Sequence, residues 1–168
     1  MSVAERLSPR PPEIVTSRVV EKFFTKVLSE DRPIHSLTIV SPWISEWESG
    51  NASLRQLAVT TQAKSISTLI LTRPPIDDWH ESALDMFADS EYAKVLTIPD
   101  LHAKLFLCES VPAGFGMIGS ANLTKKSLSN VELGVMFEGR GLLSHLLRDL
   151  RTLAWQDLRR FARPYKGG

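Results

Sequence analysis

Residues Ser65–Thr72 carry Ile66, Leu69, Ile70 and Leu71 in a nearly continuous apolar run. A half-buried strand alternates apolar with polar. A run that is apolar at successive positions needs cover on both faces, as in the middle of a layered sheet. It is far too short to cross a bilayer. The chain is therefore predicted to build a sheet with helices packed on both sides.

The rest of the sequence agrees. Further strands are predicted at Ser36–Ser41, Val95–Ile98, Lys104–Cys108, Gly116–Gly119 and Val131–Phe137. Between Ile14 and Ser29 the series Val15, Val19, Phe23, Val27 and Val20, Phe24, Leu28 recurs at helical spacing. Ser53–Gln62 reads as a short helix led by a good cap, and Ile76–Ala88 as a helix with an acidic face. Leu142–Phe161 reads as one long helix, with Leu143, Leu146, Leu147 and Leu150 in its apolar stripe. Asn122–Leu128 reads as a helical segment and Ser45–Asn51 as a polar loop. Residues 1–13, with Ser8-Pro-Arg-Pro-Pro12, read as an irregular lead. Strands alternating with helices give a mixed α/β layered domain.

Composition narrows the setting. A chain of 168 residues fits one domain with a sizeable core. Hydrophobic content of 43% and charged content of 23% are those of an ordinary soluble globule. The N-terminus lacks the apolar core of a secretory signal. The lone Cys108 has no partner for an internal disulfide and reads as a buried, inert thiol. These features together favour a cytoplasmic protein. A net charge of +1 excludes a uniformly cationic coat. The charges are segregated, however: residues 76–100 are acidic, while Lys125, Lys126, Arg140, Arg148, Arg151, Arg159, Arg160, Arg163 and Lys166 follow. Those cations either draw in a polyanion or sit on solvated helix faces.

Two polar runs stand at the ends of predicted strands. His102-Ala-Lys104 precedes Leu105-Phe106-Leu107, and Gly119-Ser120-Ala121-Asn122 follows Met117-Ile118. An imidazole exchanges a proton or attacks near neutral pH. Strand alternation would put His102 and Lys104 on one face, the ammonium holding an anion beside the ring. Ser120 and Asn122 add a hydroxyl and an amide for developing charge on non-bridging oxygens. Gly119 allows a close backbone approach. Each run alone is weak: a strand histidine is usually packed, and G-S-x-N resembles a turn and helix cap. Their combination, two short strands with a loop between, points to a phosphate diester.

The pattern His102-x-Lys104 with Gly119-Ser120-x-Asn122 resembles the HKD motif of the phospholipase D superfamily, and the single-motif build resembles its compact bacterial nucleases. The position of the family aspartate is held by Glu109, and the glutamate that orients the histidine in those nucleases matches Glu132. The resemblance implies a phospholipase D-like mixed β-sheet flanked by helices on both faces, one domain over residues 14–168. It implies catalytic roles for His102, Lys104, Ser120, Asn122 and Glu132, and no metal or other cofactor. Trp43, Arg73 and Lys125 are substrate-binding candidates. Trp43 follows a central strand and either stacks on a base or sugar or is half-buried cover; for Trp47 cover is the better reading. Arg73 either forks a phosphate or caps a carboxylate.

None of His35, His80 and His145 has a lysine two residues on, so the chain holds one motif. Displacing an alcohol from phosphorus needs an attacking group on one side and a proton donor on the other. One imidazole cannot do both, and a twofold homodimer supplies the second. The implied function is a metal-independent endonuclease on DNA or RNA, working through a phosphohistidine. Partner proteins of a defence or repair system would fit such a nuclease. The alternatives are a lipid phosphodiesterase or transferase and a catalytically silent nucleic-acid-binding module.

Overall fold

The computed structural model describes residues 11–50 and 52–166. Ten strands are found among them: β1 (Glu13–Val15), β2 (Ile34–Val40), β3 (Glu48–Ser49), β4 (Ala52–Ser53), β5 (Ser67–Thr72), β6 (Ala93–Thr97), β7 (Leu105–Ser110), β8 (Phe115–Gly119), β9 (Gly134–Glu138) and β10 (Arg163–Pro164). Eight of them form one sheet in the order β1-β9-β8-β7-β2-β5-β6-β10, and β3 pairs with β4 as a small hairpin. Strands β2, β5 and β6 are parallel; all other neighbours in the large sheet are antiparallel. This is the expected mixed sheet.

The helices are α1 (Val19–Leu28), α2 (Leu54–Ala63), α3 (Asp78–Ala88) and α4 (Leu143–Thr152). Successive strand residues face opposite ways, and the two faces carry separate cores. Leu37, Ile39, Ile70, Phe106 and Cys108 face one side, where they pack with Phe23 and Phe24 of α1, Leu54 and Leu57 of α2, and Leu84 and Phe87 of α3. Val40, Leu69, Leu71, Leu105 and Leu107 face the other, packed with Leu147 of α4 and Ala154 beyond it. Thr38, fully buried on that second face, accepts a hydrogen bond from Trp155 Nε1 at 2.8 Å. The continuous apolar run of β5 thus follows from cover on both faces.

Several boundaries differ from expectation, each for a physical reason. The first helix starts at Val19, not Ile14, because Glu13–Val15 pair with Gly134–Met136 of β9. Val15 fitted the helical spacing of Val19 and Phe23, but its burial comes from the sheet edge. Arg18, with φ of 50°, turns the chain from strand into helix. The predicted Ser45–Asn51 loop contains β3; Asn51 lies outside the described residues, as does most of the expected irregular lead. Asn122–Leu128 supplies only one 3₁₀ turn, Lys125–Leu128, capped by Thr124. The long C-terminal helix ends at Thr152, widens into a π-helical turn over Leu153–Asp157 and tightens to a 3₁₀ turn over Leu158–Phe161. Pro164 belongs to β10. Arg163–Pro164 pair with Leu96–Thr97 at the edge of the sheet, where a residue without an N–H is tolerated. The tail beyond is anchored too: Tyr165 and Lys166 both reach Asp85 on α3, at 2.9 and 2.7 Å.

Strand register decides where the site forms. Val40 at the end of β2 pairs with Leu71 near the end of β5 and with Leu105 at the start of β7. Leu105 pairs with Ile118, and Gly119 with Gly134. The segments after β2, β5 and β8 and those before β7 and β9 therefore all leave from one edge of the sheet. That is the edge where open α/β sheets place ligands.

Candidate active site

Seven of the eight predicted site residues stand within four residues of a strand end on this edge, and Lys125 follows six residues after β8. The loops are tied together by buried serine. Ser41, fully buried after β2, donates to Trp43 O at 2.8 Å and accepts from Leu123 N at 2.9 Å. Ser45 continues the clasp: its N–H donates to Leu123 O at 3.0 Å, and its Oγ accepts from Lys125 N at 2.9 Å. The loop carrying Trp43 is thus laced to the loop carrying Asn122 and Lys125. Neither serine was singled out from sequence as a site residue, because a short polar side chain in a loop gives no sign of its distant partner.

His102 and Lys104 do not lie on a strand. Residues 101–104 form an irregular lead into β7, anchored by buried Leu101. Strand alternation therefore does not relate the two side chains. Another device does: Lys104 Nζ curls back to donate to His102 O at 2.9 Å. An ammonium has three donors, so two remain.

Arg73 closes the group from β5. Its Nε donates to Leu101 O at 2.8 Å, and its NH2 lies 2.7 Å from His102 Nε2. A guanidinium only donates, so Nε2 accepts and the imidazole proton sits on Nδ1 in this arrangement. The guanidinium also lies over the Trp43 ring, 5.4 Å from its centroid. Among the described residues Arg73 is paired with no carboxylate.

Ser120 and Glu132 meet each other. Ser120 Oγ donates to Glu132 in a short hydrogen bond and accepts from Leu133 N at 3.0 Å. Ser127 and Asn130 add weaker contacts to Glu132 at 3.4 and 3.5 Å. A hydroxyl has one proton to give, so Ser120 offers none to a phosphate while Glu132 holds it. The family resemblance implied that Glu132 orients the imidazole. Among the described residues its hydrogen-bonding partners are Ser120, Ser127 and Asn130 instead. Gly119 makes the close approach expected of it, to β9: a Cβ there would fall 2.2 Å from Leu133 O.

Glu109, at the position of the family aspartate, is far from this group. It lies four residues along β7 from Leu105, about 13 Å away at the usual strand rise. It accepts from Ser36 and from Arg151 Nε, the latter at 2.9 Å. Its carboxylate ties α4 to the sheet. Much of the predicted basic surface is likewise paired, Arg140 with Glu138, Arg148 with Asp149 and Arg160 with Asp157.

Two depressions are lined by site residues, one by Lys104 and Ser120 and the other by Asn122 and Glu132. One is a groove of about 530 Å³ in which Lys104 and Ser120 sit with Ala103, Leu105, Ile118 and Leu133. The other is a cleft of about 1320 Å³ lined by Trp43, Trp79, Asn122 and Lys125, among others. Asn122 Oδ1 is buried there with no hydrogen-bond partner among the described residues. The floor beneath Trp43 and Trp79 is His80, fully buried, with Nε2 3.0 Å from Thr72 Oγ1. Burial drives its pKa down from 6.5 to about 4, only partly offset by the charge of Asp77, so the ring is neutral. Trp79 and His80 were not predicted as site residues; a tryptophan in the first turn of an acidic helix reads as surface. Trp47, as expected, is buried cover.

No protein-family model and no curated protein matches the sequence. Solved structures do match. Nuc from Salmonella typhimurium, a phospholipase D family member, superposes with a TM-score of 0.68 at 15% identity, covering 94% of this chain and 100% of Nuc. The chain has the phospholipase D fold. NucT from Helicobacter pylori gives a TM-score of 0.65 at 13% identity over 92% of this chain and 98% of its own. Phosphatidylserine synthase from Haemophilus influenzae gives 0.60 at 12% identity, over 91% of this chain but 39% of the larger enzyme. In this phospholipase D fold the edge just described carries His102, Lys104 and Arg73.

Proposed function

We propose that the protein is a phosphodiesterase, a metal-independent endonuclease that cleaves DNA or RNA through a phosphohistidine at a homodimer interface. One observation carries the reading: in a phospholipase D fold, an imidazole nitrogen is met by a guanidinium, with an ammonium two residues away. Two cations and a potential nucleophile at one sheet edge are what a diester monoanion requires.

Neutral His102 attacks phosphorus through Nε2, forming a P–N bond as the P–O bond to the leaving alcohol breaks. Arg73 releases Nε2 as the diester arrives and turns to a phosphate oxygen. Lys104 takes the other non-bridging oxygen, with the Asn122 amide beside it. The partner's His102 gives its proton to the departing oxygen. It then removes a proton from water, whose oxygen displaces the histidine and restores both rings. Glu132 acts one step back, by holding Ser120 and the start of β9 in place.

The need for a second copy is chemical, since a single imidazole cannot stand on both sides of phosphorus. The groove beside Lys104 and Ser120 supports where that copy would sit. Its wall is apolar, and exposed Ile118, Leu133 and Val131 lie along that edge. Such a patch beside a charged site is typical of an interface.

The test is a gel assay of plasmid, single-stranded DNA and RNA in excess EDTA, run beside phosphatidylcholine release. Cleaved nucleic acid with intact lipid is the expected result. Lipid release alone, or strict dependence on added magnesium, would overturn the reading.

A further inference from the structure

We infer that the cleft beside the site is a nucleobase subsite built on Trp79, which makes the substrate an unpaired strand. The inference rests on the nuclease reading above.

Trp79 is 45% exposed, a large area of indole for a side chain held so firmly. One side of the ring is stacked on His80, with centroids 5.5 Å apart and planes 20° apart. His80 is itself fixed by full burial and by Thr72. Trp43 stands against both rings, 6.3 Å from Trp79 and 5.6 Å from His80. The result is a rigid aromatic shelf, costing little entropy on binding. It is continuous with the chemistry: Trp79 touches Trp43, Trp43 lies under Arg73, and Arg73 touches His102 Nε2.

The charges of the cleft say which part of a nucleotide it takes. Lys125 and Lys126 line it, but so do Glu46, Glu48, Asp77 and Glu132. Four carboxylates against two ammonium groups make a poor track for a run of phosphates. They suit a base, whose ring stacks on indole and whose amino groups donate to carboxylates. One phosphate next to that base is within the means of Lys125 and Lys126. The volume, about 1320 Å³, exceeds that of an ordinary small-ligand pocket. In a duplex the base faces are already covered by their neighbours, so Trp79 can engage only a base that has left the stack.

The experiment measures binding and cleavage separately. Affinity for a short labelled single-stranded oligonucleotide is followed by fluorescence anisotropy in the His102→Ala background. The same strand is then used with an abasic unit at each position around the cleavage point in turn. With Trp79 present, one abasic position weakens binding about tenfold, the usual size of a lost base–aromatic stack. Trp79→Ala weakens the intact strand by a similar factor and removes the difference between intact and abasic strands. Trp79→Phe keeps most of the difference, which separates stacking from damage to the fold. Equal affinity for intact and abasic strands with Trp79 in place overturns the inference. So does an equal loss on both when Trp79 is replaced. If His102-intact protein cleaves neither strand while the Trp79-dependent difference persists, the nuclease reading fails and the subsite stands.

Discussion

His80 makes the fold of the site sensitive to acid, and the size of the effect follows from its environment. The ring is fully buried under Trp43 and Trp79, and its pKa falls from 6.5 to about 4. In the unfolded chain the same histidine takes a proton near pH 6.5. Between these values the unfolded state binds a proton that the native state refuses, so stability falls as pH falls. The full contribution is present above pH 6.5. About 2 kcal/mol is lost by pH 5 and about 3 kcal/mol by pH 4, at 1.36 kcal/mol per pKa unit. Paired carboxylates such as Glu30 also lose their partners in the lower part of that window, so the histidine must be isolated. His80→Gln keeps a partner for Thr72 and cannot take up the proton. Urea denaturation at steps between pH 7.5 and 4 would be compared for the two proteins. The wild type should lose about 3 kcal/mol more than the variant over that range. Parallel curves would refute the reasoning, and with it the rigid, neutral base of the aromatic shelf.

Three further outcomes are expected. Arg73→Ala should lower kcat/KM on nucleic acid by about tenfold to a hundredfold, the usual cost of a lost charged hydrogen bond; Arg73→Lys should recover part of it, and unchanged kinetics would remove Arg73 from the site. Ser41→Ala should lower stability by about 1–3 kcal/mol, since Leu123 N is left buried without an acceptor; a change in the denaturation midpoint too small to measure would deny that the clasp matters. Burial pushes the Cys108 thiol up to about 12, so a colorimetric disulfide reagent at pH 8 should label it only on unfolding. Rapid labelling of the native protein would contradict its placement in the core.

The sequence disclosed the buried strands best. β5 and β7 each carry a run of successive apolar residues, Leu69–Leu71 and Leu105–Cys108, because each is covered on both sides, and that pattern needs no knowledge of partners. The edge strands were hidden. Ile14 and Val15 match a helical repeat as well as a strand, and only their pairing with Val135 and Gly134 decides between them. Arg163–Pro164 looks like the end of a helix until Leu96 and Thr97 are seen beside it. The site divides in the same way. His102, Lys104, Ser120 and Asn122 were legible as residue types at fixed spacing. Their connections were not. That Arg73 reaches Nε2, that Glu132 holds Ser120 and that Ser41 holds Leu123 are contacts across 29, 12 and 82 residues, set by strand register. Glu109 shows the converse. Its place in a spacing suggested a shared role, and its place in space gives it Ser36 and Arg151.

Turnover of single-stranded nucleic acid by His102→Ala tests the central claim most directly. The variant is compared with the unaltered protein in excess EDTA, at matched dichroism and matched oligomeric state. Loss of the nucleophile and of the proton donor together should lower the rate by about 10⁴-fold or more. Cleavage at the unaltered rate would mean that the chemistry takes place elsewhere.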